Sequence, residues 1–348
     1  MIETINTILP YITGLWTLPW ILVGYIFTII LSKIFGTSKV DFVMKKISLV
    51  LLFVFIPLLL FRIFLDVDFG ENEIKFSLIC FLIISFMYFI SFIYAKINVN
   101  KMKIKEENKR NYIKTLLTNQ GRSSAFVGGA MLAISEWQIP AAIYMSIGAI
   151  FLFAIIPYIL AHLHNKEKST KVQALPWHLK LFPWYLLLFA FSSIALHGST
   201  RIYLADLGDF GIFFKFITAL TIPAALYYVG ASINPNDLKK GEIKKLFNIK
   251  SKKNLNHWLW VRHIFFITIF IIPFFTFSIF IILLKLNLIS TEWFAVIIIN
   301  SILPITSTNM FLVPYGINKR VTALSVSWST IICVPIVVLL ITNFKTYL

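Results

Sequence analysis

The sequence NQGRSSAFVGGAMLAI, residues 119–134, interrupts an otherwise apolar segment with an arginine, two amides, two serines and the pair Gly128-Gly129. A charge at membrane depth is costly and usually faces a cavity or the interior of a helix bundle. Adjacent glycines weaken a helix, and the backbone groups that they free must find partners inside the protein. We therefore predict a broken helix whose interruption lies near Gly128-Gly129.

A second interrupted stretch lies in the other half of the chain, at residues 301–316 (SILPITSTNMFLVPYG). Pro304 lacks a backbone donor and leaves an upstream carbonyl without its helical partner. Four polar residues follow at 306–309, and they cannot all face one neighbouring helix, so some are expected to face a cavity. Two interrupted hydrophobic segments at corresponding places in two halves indicate the binding site of a transporter.

The composition is that of a helical membrane protein. Of 348 residues, 58% are hydrophobic and 14% are charged, with a mean hydropathy of +0.83, whereas about a quarter of a soluble domain is charged. Cys80 and Cys333 lie inside apolar runs, which favours small core residues over a disulfide or a metal site. The first residues, MIETIN, lack the positive region of a cleaved signal peptide.

Apolar runs of bilayer-spanning length predict ten membrane spans. They are expected at residues 10–33, 46–65, 75–96, 112–134, 138–164, 181–198, 211–232, 260–285, 292–314 and 320–342. The loops on one side of these spans carry 25 of the 32 Lys and Arg residues and the other side carries six. Because basic loops stay in the cytoplasm, a multi-pass protein of the cell membrane (inner or plasma) with both termini outside is expected. Orientation explains the net charge of +17, so nucleic acid is not expected as a partner.

Ten spans divide into five and five around the loop at 166–180. An odd number of spans in each half requires the second half to enter the membrane inverted. Ile56-Pro57 in span two and Ile222-Pro223 in span seven are matching features of the two halves. We expect an all-α polytopic membrane protein with ten transmembrane helices in two inverted five-helix repeats, at 1–165 and 181–348, joined by a cytoplasmic linker at 166–180. Spans four and nine are counterparts, and both are expected to break and to cross.

Several short motifs occur in the order found in one transporter family. Residues 220–233 (LTIPAALYYVGASI) look like a Pro-x-x-Leu segment ending in Gly-Ala/Leu-Ser-hydrophobic, and residues 56–61 (IPLLLF) look like a second-span proline motif. Residues 303–309 (LPITSTN) are similar to a ninth-span Leu-Pro-polar stretch. A tenth-span serine-rich run before a proline is matched by Ser325, Ser327, Ser329, Thr330 and Pro335. Over its whole length the chain resembles the auxin efflux carrier family, ten-span transporters distantly related to bile acid:sodium symporters.

The resemblance implies that spans four and nine cross in mid-membrane beside a substrate pocket, with a transport domain that moves against a scaffold. The fourth span of the family has an asparagine and a proline around its break. Alignment on Gly128 places Ser123 and Ala130 at those positions, so the glycine pair alone is expected to break this span.

The candidate substrate-binding residues come from the two interrupted stretches. They are Asn119, Gln120, Arg122, Ser123, Ser124, Pro304, Thr306, Ser307, Thr308 and Asn309. A guanidinium matches a carboxylate in a bidentate way, but Arg122 is equally suited to satisfying carbonyls of the broken helix or to reaching the membrane surface. The serines have the alternative of bonding a carbonyl of their own helix.

These residues favour a secondary carrier of a small organic anion, working by alternating access of the elevator type that the resemblance implies. No acidic residue is placed within a span core, so any coupling ion is expected to be sodium held by hydroxyl, amide and carbonyl oxygens. The alternative function is therefore a sodium-coupled organic anion symporter of the bile-acid type. An enzyme is not expected, because the sequence has no nucleophile–base set, nucleotide-binding loop or metal-ligand cluster, and no cofactor is predicted. The expected partners are the anion and the lipid bilayer, while sodium and a homodimer stay open.

Overall fold

The computed structural model describes residues 2–9, 19–67, 70–102, 106–123, 131–132, 134–165, 177–231, 233 and 256–347. Within these residues the regular elements are helices, apart from one isolated bridge between two extended residues. Six described helical segments are long and apolar enough to cross a membrane, and two shorter apolar helices accompany them. The all-helical, apolar character expected of a membrane protein is thus present. The count of ten spans, the inverted repeat and its domain bounds stay predictions.

The described α-helices are numbered in chain order. They are α1 (Ile2–Ile8), α2 (Trp20–Phe35), α3 (Thr37–Val50), α4 (Ile56–Leu65), α5 (Glu71–Lys101), α6 (Glu106–Thr118), α7 (Gln138–Ile150), α8 (Ile156–Asn165), α9 (Trp177–Thr200), α10 (Gly208–Ala219), α11 (Thr221–Ala231), α12 (Asn256–Phe265), α13 (Ile272–Lys285), α14 (Thr291–Ile302) and α15 (Lys319–Tyr347). Short 3₁₀ helices are found at Ser135–Trp137, Leu204–Leu207 and Ser307–Tyr315.

The chain forms two compact units. Unit 1 consists of Met1–Leu78, Ser124–Ile147 and Leu181–Ile233, and unit 2 consists of Ile79–Ser123, Gly148–Lys180 and Asn234–Leu348. Each unit therefore takes segments from both sides of the predicted linker at 166–180, of which residues 166–176 lie outside the described residues and 177–180 belong to α9.

Three π-helical turns each end immediately before an Ile-Pro pair. The turns are Leu51–Phe55, Phe151–Ile155 and Phe266–Ile271. A proline has no amide hydrogen, and its ring clashes with the carbonyl four residues earlier. Widening the preceding turn relieves this clash, and the Ile56 amide accordingly bonds to the Leu51 carbonyl five residues back. The prolines therefore bend these long helices without ending them.

Unit 1 is built around a close crossing of α2 and α11. Gly24 on α2 and Gly230 on α11 each face the backbone of the other helix. A Cβ on Gly24 would lie 2.0 Å from the Tyr227 carbonyl oxygen, and a Cβ on Gly230 would lie 1.8 Å from that of Ile21. Small residues that let two backbones approach are typical of helix pairs in membranes, where packing rather than hydrophobic burial holds helices together.

Unit 2 has a core of large apolar side chains from α6, α12 and α15. Tyr112 and Leu116 of α6 pack with Trp260 and Val261 of α12 and with Leu324 of α15. The Tyr112 hydroxyl lies 2.5 Å from Nδ1 of His263, so the one polar group of this ring has a partner. This core fixes the position of α6, whose C-terminal end begins the candidate site.

Replacing Gly230 by alanine should force α2 away from α11. Overpacking a close contact typically costs about 1–3 kcal/mol, so Gly230→Ala is expected to lower the free energy of unfolding by at least that range. Reversible unfolding in detergent micelles measures the change. Gly198→Ala on α9 is the control, because a Cβ there meets nothing within 4 Å, and it should be neutral or stabilising by up to about 1 kcal/mol. Equal stability of Gly230→Ala and Gly198→Ala would contradict the close crossing.

Candidate functional site

The candidate site in unit 2 forms where two helices stop. Helix α14 ends at Ile302, and Leu303 adopts an extended backbone with φ −55° and ψ 151°, because a residue that precedes a proline avoids the helical region. Helix α6 ends at Thr118. The amides of Gln120 and Gly121 then bond to carbonyls only three residues back, which tightens the last turn before the chain becomes extended.

The two interrupted segments pair with each other through their backbones. The Ser123 amide donates to the Pro304 carbonyl at 2.9 Å, and the Thr306 amide donates to the Gly121 carbonyl at 3.0 Å. Arg122 and Ile305 thereby form an isolated antiparallel bridge. Backbone groups released from a helix inside a membrane protein need partners within the protein, and each interruption supplies them to the other.

Side chains of the second interrupted segment pack closely against Gly121. A Cβ there would lie 2.8 Å from Oδ1 of Asn309 and 3.3 Å from Cγ2 of Thr306. The absence of a side chain at Gly121 therefore lets the second interrupted segment approach the first.

Helix α15 completes the backbone pairing. The hydroxyl of Ser329 accepts the Ile305 amide at 3.0 Å and donates to the Val326 carbonyl of its own helix. Both Ile305 and Ser329 are buried. This contact satisfies the central amide of the second interrupted segment, which the bridge itself leaves without a backbone acceptor.

Arg122 lies at the bridge and is only partly buried. Its Nη1 is 3.5 Å from the carbonyl of Leu303, the residue that directly follows α14. Its charge is within electrostatic range of the Tyr88 hydroxyl and the Cys333 thiol. The guanidinium therefore lies beside a carbonyl at the end of a broken helix.

Three amide side chains around the bridge keep hydrogen-bonding capacity. The NH₂ groups of Asn119 and Gln120 donate hydrogen bonds to nearby acceptors of unit 2. The side-chain oxygens of these two residues bond to no described residue, and the same is true of both Oδ1 and Nδ2 of Asn309. A buried polar group without a partner costs about 1–3 kcal/mol, so such a concentration indicates a place for a polar ligand.

Two members of the polar run at 306–309 form hydrogen bonds with each other. The Thr306 hydroxyl accepts the Thr308 amide and lies 2.8 Å from the Thr308 hydroxyl, so Thr306 caps the 3₁₀ helix that follows. Ser307 begins that helix. Asn309 is the member of the run whose side chain stays uncommitted among the described residues.

Nearly all of the candidate residues predicted from the sequence are brought together in unit 2. Ser123 and Pro304 contribute backbone atoms to the pairing, whereas Asn119, Gln120, Arg122 and Asn309 place side chains around it. Ser124 and the glycine pair at 128–129 lie outside the described residues. The described part of the first interruption begins at Asn119, directly after α6, well before the glycine pair.

Sequence reasoning missed a polar face of α15 that lies against this site. Thr322 accepts a hydrogen bond from Asn119 at 3.2 Å, and Thr322, Ser325 and Ser329 are all buried. Their spacing of three and four residues places them on one side of the helix. The spacing is visible in the sequence, where Ser325 and Ser329 are assigned only to a serine-rich family motif.

Lys114 differs from its expected environment. The count of basic residues assigns it to the loop that precedes span four, whereas the structure places it inside α6 with its side chain fully buried. The reason is that α6 begins at Glu106, several residues before the predicted span, so that Lys114 falls in the middle of a helix that packs against α8 and α12.

No protein-family model matches the chain, and no curated protein matches it either. The resemblance to auxin efflux carriers therefore stays a prediction from short motifs.

The Ser329 contact provides a test of the backbone pairing. Ser329→Ala leaves the buried Ile305 amide without its acceptor and should lower the free energy of unfolding by about 1–3 kcal/mol. The matched control is Ser301→Ala on α14, since the Ser301 hydroxyl is equally buried but bonds only to the Ile298 carbonyl of its own helix. Its loss should cost less than about 1 kcal/mol. Unfolding titrations in mixed micelles would contradict the pairing if the two losses were equal.

Proposed function

We propose that the protein is a secondary membrane transporter of a small organic anion, similar to auxin efflux carriers and working by alternating access of an elevator type. The observation that carries the proposal is the antiparallel pairing of two helix interruptions, with Arg122 and four amide atoms of Asn119, Gln120 and Asn309 that bond to no described residue around it. Non-helical backbone at membrane depth is tolerated where it is buried in protein or lines a cavity, and transporters use it to bind substrate.

An anionic substrate is favoured by the one arginine at the bridge. A guanidinium presents parallel donors to a carboxylate or phosphate, and its interaction is stronger where water is excluded. The amide groups of Asn119, Gln120 and Asn309 are suited to the uncharged polar parts of such a molecule. No His, Cys, Asp or Glu cluster with metal-ligating geometry is found among the described residues, and the proposal requires neither metal nor cofactor.

The elevator type of alternating access is supported by where the site elements belong. Residues 119–123 of the first interrupted stretch, the whole second stretch, the polar face of α15 and Arg122 are parts of unit 2, whereas the first stretch continues into unit 1 from Ser124. In elevator transport the element that carries the substrate moves with its site. The pairing of the two interruptions within one compact unit is consistent with that requirement.

Replacing Arg122 tests the anion role. Arg122→Gln is expected to reduce uptake into proteoliposomes by roughly 30-fold or more, the equivalent of the about 2–5 kcal/mol lost when a hydrogen-bonded charge is removed from a buried pair. Arg122→Lys keeps the charge but loses the planar fork, so its uptake should be intermediate.

The control for this test is Arg320→Gln, which removes an exposed arginine of the same unit and should leave transport unchanged. Folding is monitored by the melting temperature of each purified variant. Normal transport with an unchanged half-saturation concentration in Arg122→Gln would exclude the anion role. Loss of folding in that variant alone would assign Arg122 to the structure instead.

A sodium-coupled symporter of the bile-acid type is the second candidate function. It is favoured by the uncommitted oxygens of Asn119, Gln120 and Asn309, since sodium is bound by neutral oxygens where carboxylates are absent. A thermal-shift screen of the purified protein against carboxylates, with and without sodium, separates the two functions. Stabilisation by a carboxylate that depends on sodium supports the symporter, and stabilisation without sodium supports the uncoupled carrier.

We further propose a location in the cell membrane with both termini outside and the lysine-rich loops in the cytoplasm. This rests on the distribution of Lys and Arg among the loops. The probes are single cysteines at exposed positions, and the native Cys80 and Cys333 are both buried.

The orientation predicts a different labelling result for each side. Asn72→Cys should react with a membrane-impermeant thiol reagent in intact cells, whereas Ser38→Cys and Asn108→Cys should react only after lysis. All three positions are exposed in the structure. Labelling of Asn108→Cys without lysis would overturn this orientation.

A further inference from the structure

Unit 1 contains a cavity of about 990 Å³ that the candidate transport site does not use. Its volume is at the upper end of the range of small-molecule pockets. The described lining includes two basic residues, Arg62 and Lys215, and one acidic residue, Asp66. An apolar wall is formed by Leu9, Leu132, Leu204, Ala205, Ile212 and Ala219. The cavity therefore combines an excess of positive charge with an apolar surface.

Arg62, which lies near the end of predicted span two, is buried. Its Nη1 donates to the Lys215 carbonyl and to the Thr218 hydroxyl, both at 3.0 Å. Both acceptors lie in the last two turns of α10. One nitrogen of the guanidinium is thus fixed against α10, which orients the whole planar group.

The other edge of the guanidinium is the one available to a ligand. Neither Nε nor Nη2 of Arg62 makes a hydrogen bond to any described residue. These two donors point in parallel and fit the two oxygens of a carboxylate or of a phosphate. A guanidinium held in place by Nη1 binds such a group with little further loss of side-chain entropy.

Asp66 interacts electrostatically with Arg62, but no hydrogen bond or ion pair between the two side chains is found among the described residues. Oδ1 of Asp66 accepts the Leu204 amide at 2.7 Å, and so it holds the 3₁₀ turn Leu204–Leu207 at the rim of the cavity. Lys215, whose side chain is exposed, adds a second positive charge to the lining.

We propose that this cavity binds an amphipathic organic anion, with its carboxylate or phosphate group on the Nε/Nη2 edge of Arg62 and its apolar part against the wall. The cavity lies in unit 1, whereas the paired backbone segments and Arg122 lie in unit 2. The two proposals therefore depend on different arginines and are tested by different variants.

Equilibrium binding of radiolabelled octanoate and octyl phosphate tests the proposal, with the full chain in phosphatidylcholine nanodiscs. Saturable binding of at least one probe is expected. Arg62→Gln should weaken it by about 30-fold or more, as expected for loss of a buried charged partner. Arg62→Lys should fall between this variant and the unmodified protein, because a lysine keeps the charge without the fork.

A second pair of variants guards against misfolding of Arg62→Gln, since Arg62 also holds α10. Ala205→Trp fills the cavity from an exposed position of its lining and leaves Arg62 intact. It should abolish the same binding. Ala195→Trp, at an exposed position of α9 that is not part of the lining, should leave the dissociation constant unchanged. Absence of saturable binding of both probes, or unchanged binding in Ala205→Trp, would overturn the proposal.

The source of the anion is decided by the lipid composition. In nanodiscs that contain phosphatidylglycerol, competition with the probe would identify a lipid headgroup as the occupant. An unchanged dissociation constant would identify a soluble organic anion. Either result is consistent with the site on Arg62.

Discussion

The candidate site depends on two backbone hydrogen bonds, from Ser123 to Pro304 and from Thr306 to Gly121. They give partners to backbone groups that are released where two helices stop inside an apolar protein. The requirements are specific: a proline that ends α14, a glycine that permits close approach, and a hydroxyl on α15 for the remaining Ile305 amide. When these three requirements are met, side chains of both interrupted segments lie around the same backbone pairing in unit 2.

The consequence for chemistry is a site that is polar but nearly neutral. Asn119, Gln120 and Asn309 bring uncommitted amide atoms, and Arg122 brings one positive charge beside the end of α14. An arginine in such a position serves two purposes that do not exclude each other. One nitrogen donates to the carbonyl that follows a broken helix, and the positive charge of the guanidinium favours an anion nearby.

Most of the elements of this site could be predicted from the sequence, because polar residues and helix breakers within apolar runs are local signals. The interruption at Pro304 lies where a proline requires it, and the uncommitted side chains come from the predicted set. The start of the first interruption at Asn119 could not be predicted from the glycine pair, since the chain leaves α6 where the other segment supplies partners. That is a tertiary effect.

Tertiary contacts also explain why two basic residues are buried. Counting lysines and arginines by loop assumes that each lies in water, yet Lys114 and Arg62 are both buried. Arg62 is buried because the Lys215 carbonyl and the Thr218 hydroxyl, more than 150 residues away in the sequence, accept its hydrogen bonds. Nothing in the residues near Arg62 encodes these partners. Charge patterns along the sequence therefore do not predict which individual charges reach water.

The central claim is that an anion is bound at the paired interruptions by Arg122. The most direct measurement is a solid-state NMR distance between the ¹⁵N-labelled guanidinium of Arg122 and the ¹³C-labelled carboxylate of the ligand found by thermal-shift screening, assigned by its loss in Arg122→Lys. Since nitrogen and oxygen in such pairs are about 2.7–2.9 Å apart, the account predicts a nitrogen–carbon distance of about 4 Å or less. A bound carboxylate that shows no dipolar contact with Arg122 would contradict it.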